Sequence, residues 1–224
     1  MDIQEAVASR HSIRAFLPTP VDPETIRKAL TLAARAPSGG NLQPWHIDVL
    51  AGDALAALRA QIQQHIAQRR EPEPVEYAVY PLHLRSPWRE RRFQVGEAMY
   101  ARLSIPREDK DARRRWFAHN FDFFGAPMAL FCSVDRAMGP PQWSDLGMYL
   151  QTAMLLLRGE GIDSCAQECW ALYPRTIGQA IELPPERMLF CGMAIGYRDP
   201  THPVNGLVSD RAPTDEWLHF RGVF

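Results

Sequence analysis

Near the start of the chain, Arg10-His11-Ser12-Ile13-Arg14 puts two guanidinium groups and a hydroxyl within five residues. Such a stretch can cradle a phosphate, because the planar arginine fork pairs with two anionic oxygens at once. The same spacing also suits an ordinary surface charge cluster. A second group, Pro37-Ser38-Gly39-Gly40-Asn41-Leu42-Gln43-Pro44-Trp45, offers glycines that let backbone approach a ligand closely. Its hydroxyl and amide side chains suit a polyol or a heteroaromatic edge, although a plain turn entering a strand has the same composition. Three further groups are Gly161-Ile162-Asp163-Ser164-Cys165-Ala166-Gln167-Glu168, Cys191-Gly192-Met193-Ala194-Ile195-Gly196-Tyr197, and a tail with Asn205, Arg211-Ala212-Pro213 and Glu216-Trp217. Singly, each also fits a helix end, a strand or a turn.

Several chemistries are excluded. No G-x-G-x-x-G follows a predicted strand, and neither the P-loop pattern nor G-x-S-x-G occurs. The seven histidines lack metal-ligand spacing, so no metal site is expected. Cys132, Cys165, Cys169 and Cys191 read as reduced core thiols of a cytoplasmic protein. Arginine outnumbers lysine 23 to 2, yet 26 acidic residues leave a net charge of −1, which favours neither nucleic acid nor an anionic membrane. No secretory signal or membrane-length apolar run is visible.

Those groups need elements to hold them. Ile3, Ala6 and Val7 predict a helix to about Ser9, and Asp22-Pro23 predicts an N-cap and first turn. A strand is expected over Trp45 to Leu50, then a helix capped by Asp53 and running to about Arg69. Residues 71–90 hold Pro72, Pro74, Pro81 and Pro87 and read as a long connection or lid. Helices follow over Arg91 to Leu103 and Glu108 to Phe121, and a buried strand over Ala126 to Val134. Trp143 to Gly159 predicts a helix buried on more than one face, ended by Gly161. A short segment over Ile162 to Gln167, a helix opened by Pro174 and a second apolar strand over Met188 to Tyr197 complete the pattern. The expected fold is α+β, with a small mixed sheet surrounded by helices in a single domain over 1–224.

Taken together, in this order and spacing, the five groups resemble the FMN-dependent nitroreductase family from Arg10 to Trp217. Total length, Ile105-Pro106-Arg107 and Phe121-Asp122-Phe123-Phe124-Gly125-Ala126-Pro127 are most similar to its 4-nitrobenzoate reductase-type members. The resemblance implies an intertwined homodimer with FMN at the subunit interface. Arg10, Ser12, Arg14 and Arg211 would hold the phosphate and ribityl chain, with His11 contributing mostly backbone. Pro37, Ser38, Gly39 and Asn41 would reach the same flavin from the partner. Ala166, Gln167 and Glu168 would line the isoalloxazine, the Glu168 N–H aimed at flavin N5. Cys169 stands where many relatives carry glycine; a basic side chain often lies near flavin N1 and O2 in relatives, and the resemblance does not place it here, Arg69 being one residue it could be.

The resemblance further implies an enzyme taking hydride from NAD(P)H and passing it to nitroaromatic or quinone-like acceptors in ping-pong fashion. The same fold also serves reductive dehalogenation, flavin fragmentation, enone reduction and non-catalytic flavin binding. Substrate contacts are expected from the variable region 71–125, where Trp88, Phe93, Tyr100, Phe121, Phe123 and Phe124 are candidates to stack on an aromatic acceptor, although core packing accounts for each of them as well. Arg89, Arg91 and Arg92 could attract its carboxylate, though solvated helix charge accounts for them equally, and Arg113-Arg114-Arg115 reads as surface. Residues 200–224 are expected to form an arm crossing to the partner.

Overall fold

The computed structural model describes residues 1–68 and 73–222. Helix α1, Ile3–Ser9, opens on a capping box: Asp2 accepts from the Glu5 N–H while the Glu5 carboxylate accepts from the Asp2 N–H. Asp22 accepts from the Glu24 and Thr25 N–H groups, and α2 spans Pro23–Ala33 as its spacing predicts. Helix α3, Gly52–Ala67, begins one residue before its expected cap. Gly52 turns the chain at φ +54°, leaving Asp53 inside the first turn, and the expected end at Arg69 lies outside the described residues. The remaining helices are α4 (Trp88–Arg102), α5 (Lys110–Ala118), α6 (Pro140–Gly159) and α7 (Pro174–Ala180). Among the described residues, no helix is long and apolar enough to cross a membrane.

Strands β1 (His46–Ala51), β2 (Met128–Asp135), β3 (Asp163–Gln167) and β4 (Arg187–Gly196) form one sheet in the order β1-β2-β4-β3. Every neighbouring pair is antiparallel, which corrects the expected mixed sheet. The one parallel pairing among the described residues is the single bridge Ser12–Ser164. The chain then turns away, pairing Phe16 with Arg198, so it never lies along β3 as a strand. Between β2 and β4 the register slips after Cys132–Cys191, leaving Phe190 without an opposite residue. Its carbonyl accepts from the Tyr77 hydroxyl, which pins the 73–87 connection to the sheet.

Alternation along the strands makes two cores. On one face Met128, Leu130, Cys132, Met193 and Ile195 pack with α2 and α6. On the other Ala129, Phe131 and Ala194 pack with Leu55, Leu58 and Ile62 of α3 and with an aromatic cluster. Helix α6 is buried along one stripe (Leu146, Tyr149, Leu150, Ala153 and Leu157), while Gly147, Met148 and Gln151 are exposed. A single chain therefore does not bury it on more than one face.

Of the two readings open for the aromatic run Phe121–Phe124, substrate stacking and core packing, the structure shows core packing. Phe121, Phe123 and Phe124 are 3%, 0% and 6% exposed, and Phe123 stacks on the fully buried Trp170 at 4.4 Å. A turn with left-handed backbone at Phe123 (φ +50°), Phe124 (φ +54°) and Gly125 (φ +79°) drives the rings inward. Such geometry costs roughly 1–3 kcal/mol per residue, offset here by aromatic burial. Arg59 of α3 holds the turn, donating to the Asp122 and Ala126 carbonyls at 2.8 and 2.6 Å.

Candidate active site

The two ends of the chain meet at one cleft. Arg10, His11, Ser12 and Arg14 line one side, Leu207, Val208, Ser209 and Arg211 the other, and Val95 of α4 closes it, enclosing about 300 Å³. The first segment is held from behind, where the Ile13 N–H donates to the Ser164 carbonyl at 3.2 Å and the Ile13 side chain is fully buried. The Arg14 Nη1 donates to the Ser12 carbonyl at 3.2 Å. On the opposite wall the Arg211 Nη1 donates to the Ser209 carbonyl and hydroxyl and to the Asp210 carbonyl at 2.8–2.9 Å. Burial, and then the cations Arg198, Arg10 and Arg158, push the His11 imidazole below its ordinary range. A cleft with this excess of cations fits a phosphate dianion.

Behind the cleft lies an ion cluster that motif reading does not single out. The buried Asp163 carboxylate accepts from Arg198 Nε at 2.7 Å and Nη2 at 2.6 Å, and from Arg158 Nη1 at 3.3 Å. Arg158 Nε also donates to the Ser9 hydroxyl at 2.9 Å. Asp163 begins β3, and Ser9 immediately precedes Arg10, so the cluster ties the cation-bearing segment to the strand ending at Gln167. The available signal was an aspartate opening an apolar segment, since a buried carboxylate demands a cation.

At the end of β3, Ala166 and Glu168 are exposed while Gln167 is 3% exposed. Gln167 Nε2 donates to the Asn120 carbonyl at 2.8 Å, and its Oε1 accepts from Trp170 Nε1 at 3.5 Å. Its side chain therefore serves the core, which leaves only its main chain to face a ligand. Desolvation raises the Glu168 carboxyl above the usual carboxylate range even though the residue borders solvent. Cys169 sits half-buried in the short turn Glu168–Leu172, packed against the aromatic core.

Gly192 and Gly196 serve packing rather than ligand approach. A Cβ at Gly192 would lie 2.5 Å from Trp170 Cδ1, and one at Gly196 would lie 2.7 Å from Pro127 Cδ.

Pro37, Ser38 and Asn41 line a different hollow of about 450 Å³ with Ala34, Arg35, Ala36 and Gln43. Within one chain they do not reach the arginine cleft. The Gly39 N–H donates to the buried Asp145 of α6 at 3.3–3.4 Å, and the Gln43 N–H donates to the Ser38 hydroxyl at 3.0 Å.

Helix α4 has no buried residue. Its Val95 lines the cleft, and Arg91, Arg92, Gln94 and Ala98 line an adjoining groove of about 610 Å³ with Tyr80 and the 207–213 tail. Trp88, three and seven residues before Arg91 and Val95, falls on their side of the helix. Phe93 and Tyr100 fall on the other side, where Arg107 lies 5.2 Å from the Phe93 ring centre and Arg113 lies 4.2 Å from that of Tyr100. The single chain does not bring these two rings to the cleft. Arg91 pairs with Glu216, Arg89 pairs with Glu90 at 2.8 Å, and Arg92 lies 4.1 Å over Tyr80. Arg113 grips Glu97 at 2.5 and 3.0 Å, so it is more than loose surface charge.

An antiparallel sheet between two helical layers, with a cationic cleft built from both chain ends, defines an α+β protein shaped for an anionic ligand. The chain belongs to the nitroreductase family, whose model matches residues 7–197. It is 36% identical over 221 residues to 4-nitrobenzoate reductase of Pseudomonas putida, covering 99% of this chain and 96% of that one. An FMN and NADPH-dependent nitroreductase NfnB from Sphigopyxis sp. strain HMH superposes with a TM-score of 0.96 at 45% identity, covering 100% of both chains. The FMN-dependent NfnB from Mycobacterium smegmatis, solved with NADPH, superposes with a TM-score of 0.92 at 31% identity over 98% of this chain and 97% of that one.

Proposed function

We propose that this chain is an FMN-dependent oxidoreductase that uses NAD(P)H to reduce nitroaromatic or quinone-like acceptors, working as a homodimer. The observation that carries the reading is the convergence of Arg10, His11, Ser12, Arg14 and Arg211 on one cleft. Relatives described as FMN- and NADPH-dependent, similar along the whole chain, support the cofactor assignment.

The chain's own part is binding and orientation. Arg10, Arg14 and Arg211 neutralise the phosphate, and Ser12 adds a hydroxyl donor. Ala166 and Glu168 are exposed residues and are assigned to the edge of the cofactor ring, with the Glu168 N–H directed at flavin N5. Bound FMN supplies the electron-carrying ring, and the protein tunes it through donors and cations placed around it. Pro37, Ser38, Gly39 and Asn41 act from the partner subunit, which accounts for their separation from the arginine cleft. Tyr80, which lines the adjoining groove, and Trp88, on the cleft side of α4, are the aromatics proposed to meet an acceptor.

Exposed apolar side chains support the dimer. Ile3 and Val7 of α1, Met148 of α6 and Trp88, Phe93 and Val95 of α4 are all 38–65% exposed. Large apolar area on these helices is the usual mark of an interface. The purified protein should be yellow, carry about one FMN per chain and oxidise NAD(P)H only when an acceptor is supplied. A colourless protein that takes up no FMN on reconstitution overturns the proposal.

A further inference from the structure

Asn205 does not itself line the cleft; it is 8% exposed and joins the segment that carries one wall to the chain that leads into the other. All three of its side-chain hydrogen bonds go to main chain. Its Oδ1 accepts from the Arg14 N–H at 2.9 Å, and its Nδ2 donates to the Ala15 carbonyl at 2.7 Å and the Asp199 carbonyl at 2.9 Å. The first two bonds hold the segment carrying Arg10, Ser12 and Arg14. The third holds the chain just before the tail, which leaves through the short turn Pro203–Gly206 toward Ser209 and Arg211. The Asp199 N–H donates to the Ala15 carbonyl at 3.0 Å and the Leu17 N–H to the Tyr197 carbonyl at 2.8 Å, so the two segments are laced together at this point.

We propose that Asn205 is a positioning residue that sets the spacing of the two cationic walls, and thereby the protein's preference for a flavin bearing a terminal phosphate. This rests on the cofactor reading above. A carboxamide is needed because one side chain must both accept and donate twice; an aspartate of equal shape can accept from Arg14 but donates to neither carbonyl. Ala166 and Gln167 are held by β3–β4 pairing, Glu168 opens the turn that follows, and none of the three Asn205 side-chain bonds reaches them. Disturbing Asn205 should therefore act on the phosphate end selectively.

The test reconstitutes apo-protein with FMN and, separately, with riboflavin, which lacks the phosphate, and takes the ratio of the two dissociation constants. In Asn205→Ala and in the uncharged, near-isosteric Asn205→Leu, the wild-type preference for FMN should fall about tenfold or more, with riboflavin affinity little changed. The Leu variant keeps roughly the side-chain volume and adds no charge beside the phosphate, so the ratio remains measurable should the Ala variant not fold. Equal weakening of both flavins, or no weakening, assigns Asn205 a merely structural role and overturns the proposal. A wild type that binds neither flavin overturns the cofactor reading itself. A wild type that prefers FMN, with variants that keep the same preference, overturns only the role of Asn205.

Discussion

Asp163 and Arg198 meet in a two-pronged ion pair, with Arg198 Nε and Nη2 at 2.7 and 2.6 Å from the two carboxylate oxygens. The Arg198 N–H adds a third bond to the same carboxylate at 3.3 Å. One pair thus joins the first residue of β3 to the residue that leaves β4. Arg158 completes the cluster and reaches Ser9, one residue before the cationic segment. Removing one partner of a buried pair is costly because the other charge is left without compensation. Asp163→Ala should lower stability by about 3–5 kcal/mol. Denaturant unfolding checks this, and a change below about 1 kcal/mol would show the pair to be as weak as an exposed one.

On the proposed function, Arg10 and Arg14 serve the ligand rather than the fold; Arg14 makes one intrachain side-chain bond, to the Ser12 carbonyl at 3.2 Å. A charged hydrogen bond is worth about 1.5–3 kcal/mol. Arg10→Ala combined with Arg14→Ala should therefore weaken FMN roughly 100-fold or more, leaving the unfolding midpoint nearly unchanged. Flavin content after gel filtration reads the loss directly. Retention of full flavin would move the phosphate elsewhere.

His11 links the same cleft to pH. Burial comes first among the causes that lower its titration from the ordinary value of 6.5, followed by Arg198, Arg10 and Arg158. The unfolded chain then takes up this proton more readily, so His11 subtracts stability as pH falls through 6.5 and no further below its folded value. A dianion in the cleft favours the imidazolium. NMR titration of the His11 ring should move upward when FMN binds and stay put when riboflavin binds. An identical titration with and without FMN would remove His11 from the phosphate's neighbourhood.

Local chemistry wrote much of this fold legibly. Asp22 before Pro23 marks the start of α2, and Gly161, at φ +75°, ends α6 as its position suggests. The cationic pentad and the tail arginine were legible for the same reason, since their residue types state their chemistry. Long-range geometry was not legible. The Phe121–Phe124 run reads as a ligand-facing stripe, and only the left-handed backbone at Phe123 and Phe124 shows that it turns inward onto Trp170. Gln167 looks like a ligand amide until Asn120, 47 positions earlier, claims its Nε2. Asn205 stood out in the sequence without a role, because its three partners lie far away along the chain or in a turn that the sequence does not announce.

Gly192 gives a test of packing against the site. Trp170 is 0% exposed and lies directly on this glycine, so an added Cβ at 2.5 Å cannot be absorbed by a flexible side-chain tip. Gly192→Ala should cost about 1–3 kcal/mol through overpacking. Gly178 in α7 is the control, because its Cβ would meet Leu183 at an ordinary 3.7 Å. Gly178→Ala should be neutral or stabilising by up to about 1 kcal/mol on helix propensity. Equal losses at both positions would show that the Trp170 contact is looser than its distances imply.

The tail carries the remaining test of assembly. Beyond Pro213 it presents Trp217 at 63% and Leu218 at 39% exposure, and Glu216 pairs with Arg91 of α4. Within one chain Glu216 already reaches its own α4; on the homodimer reading proposed above, the exposed Trp217 and Leu218 are left to be covered by the partner subunit. Ending the chain after Pro213 keeps Asn205 and Arg211, so the phosphate-binding walls survive the cut. Sedimentation should then show a dimer dissociating at least about tenfold more readily, since burying one large apolar side chain contributes about 1.5–3 kcal/mol. FMN uptake per dimer should persist at protein concentrations high enough to restore association. A truncated chain as tightly dimeric as the full one would confine the arm to its own subunit and leave α1 and α6 as the interface.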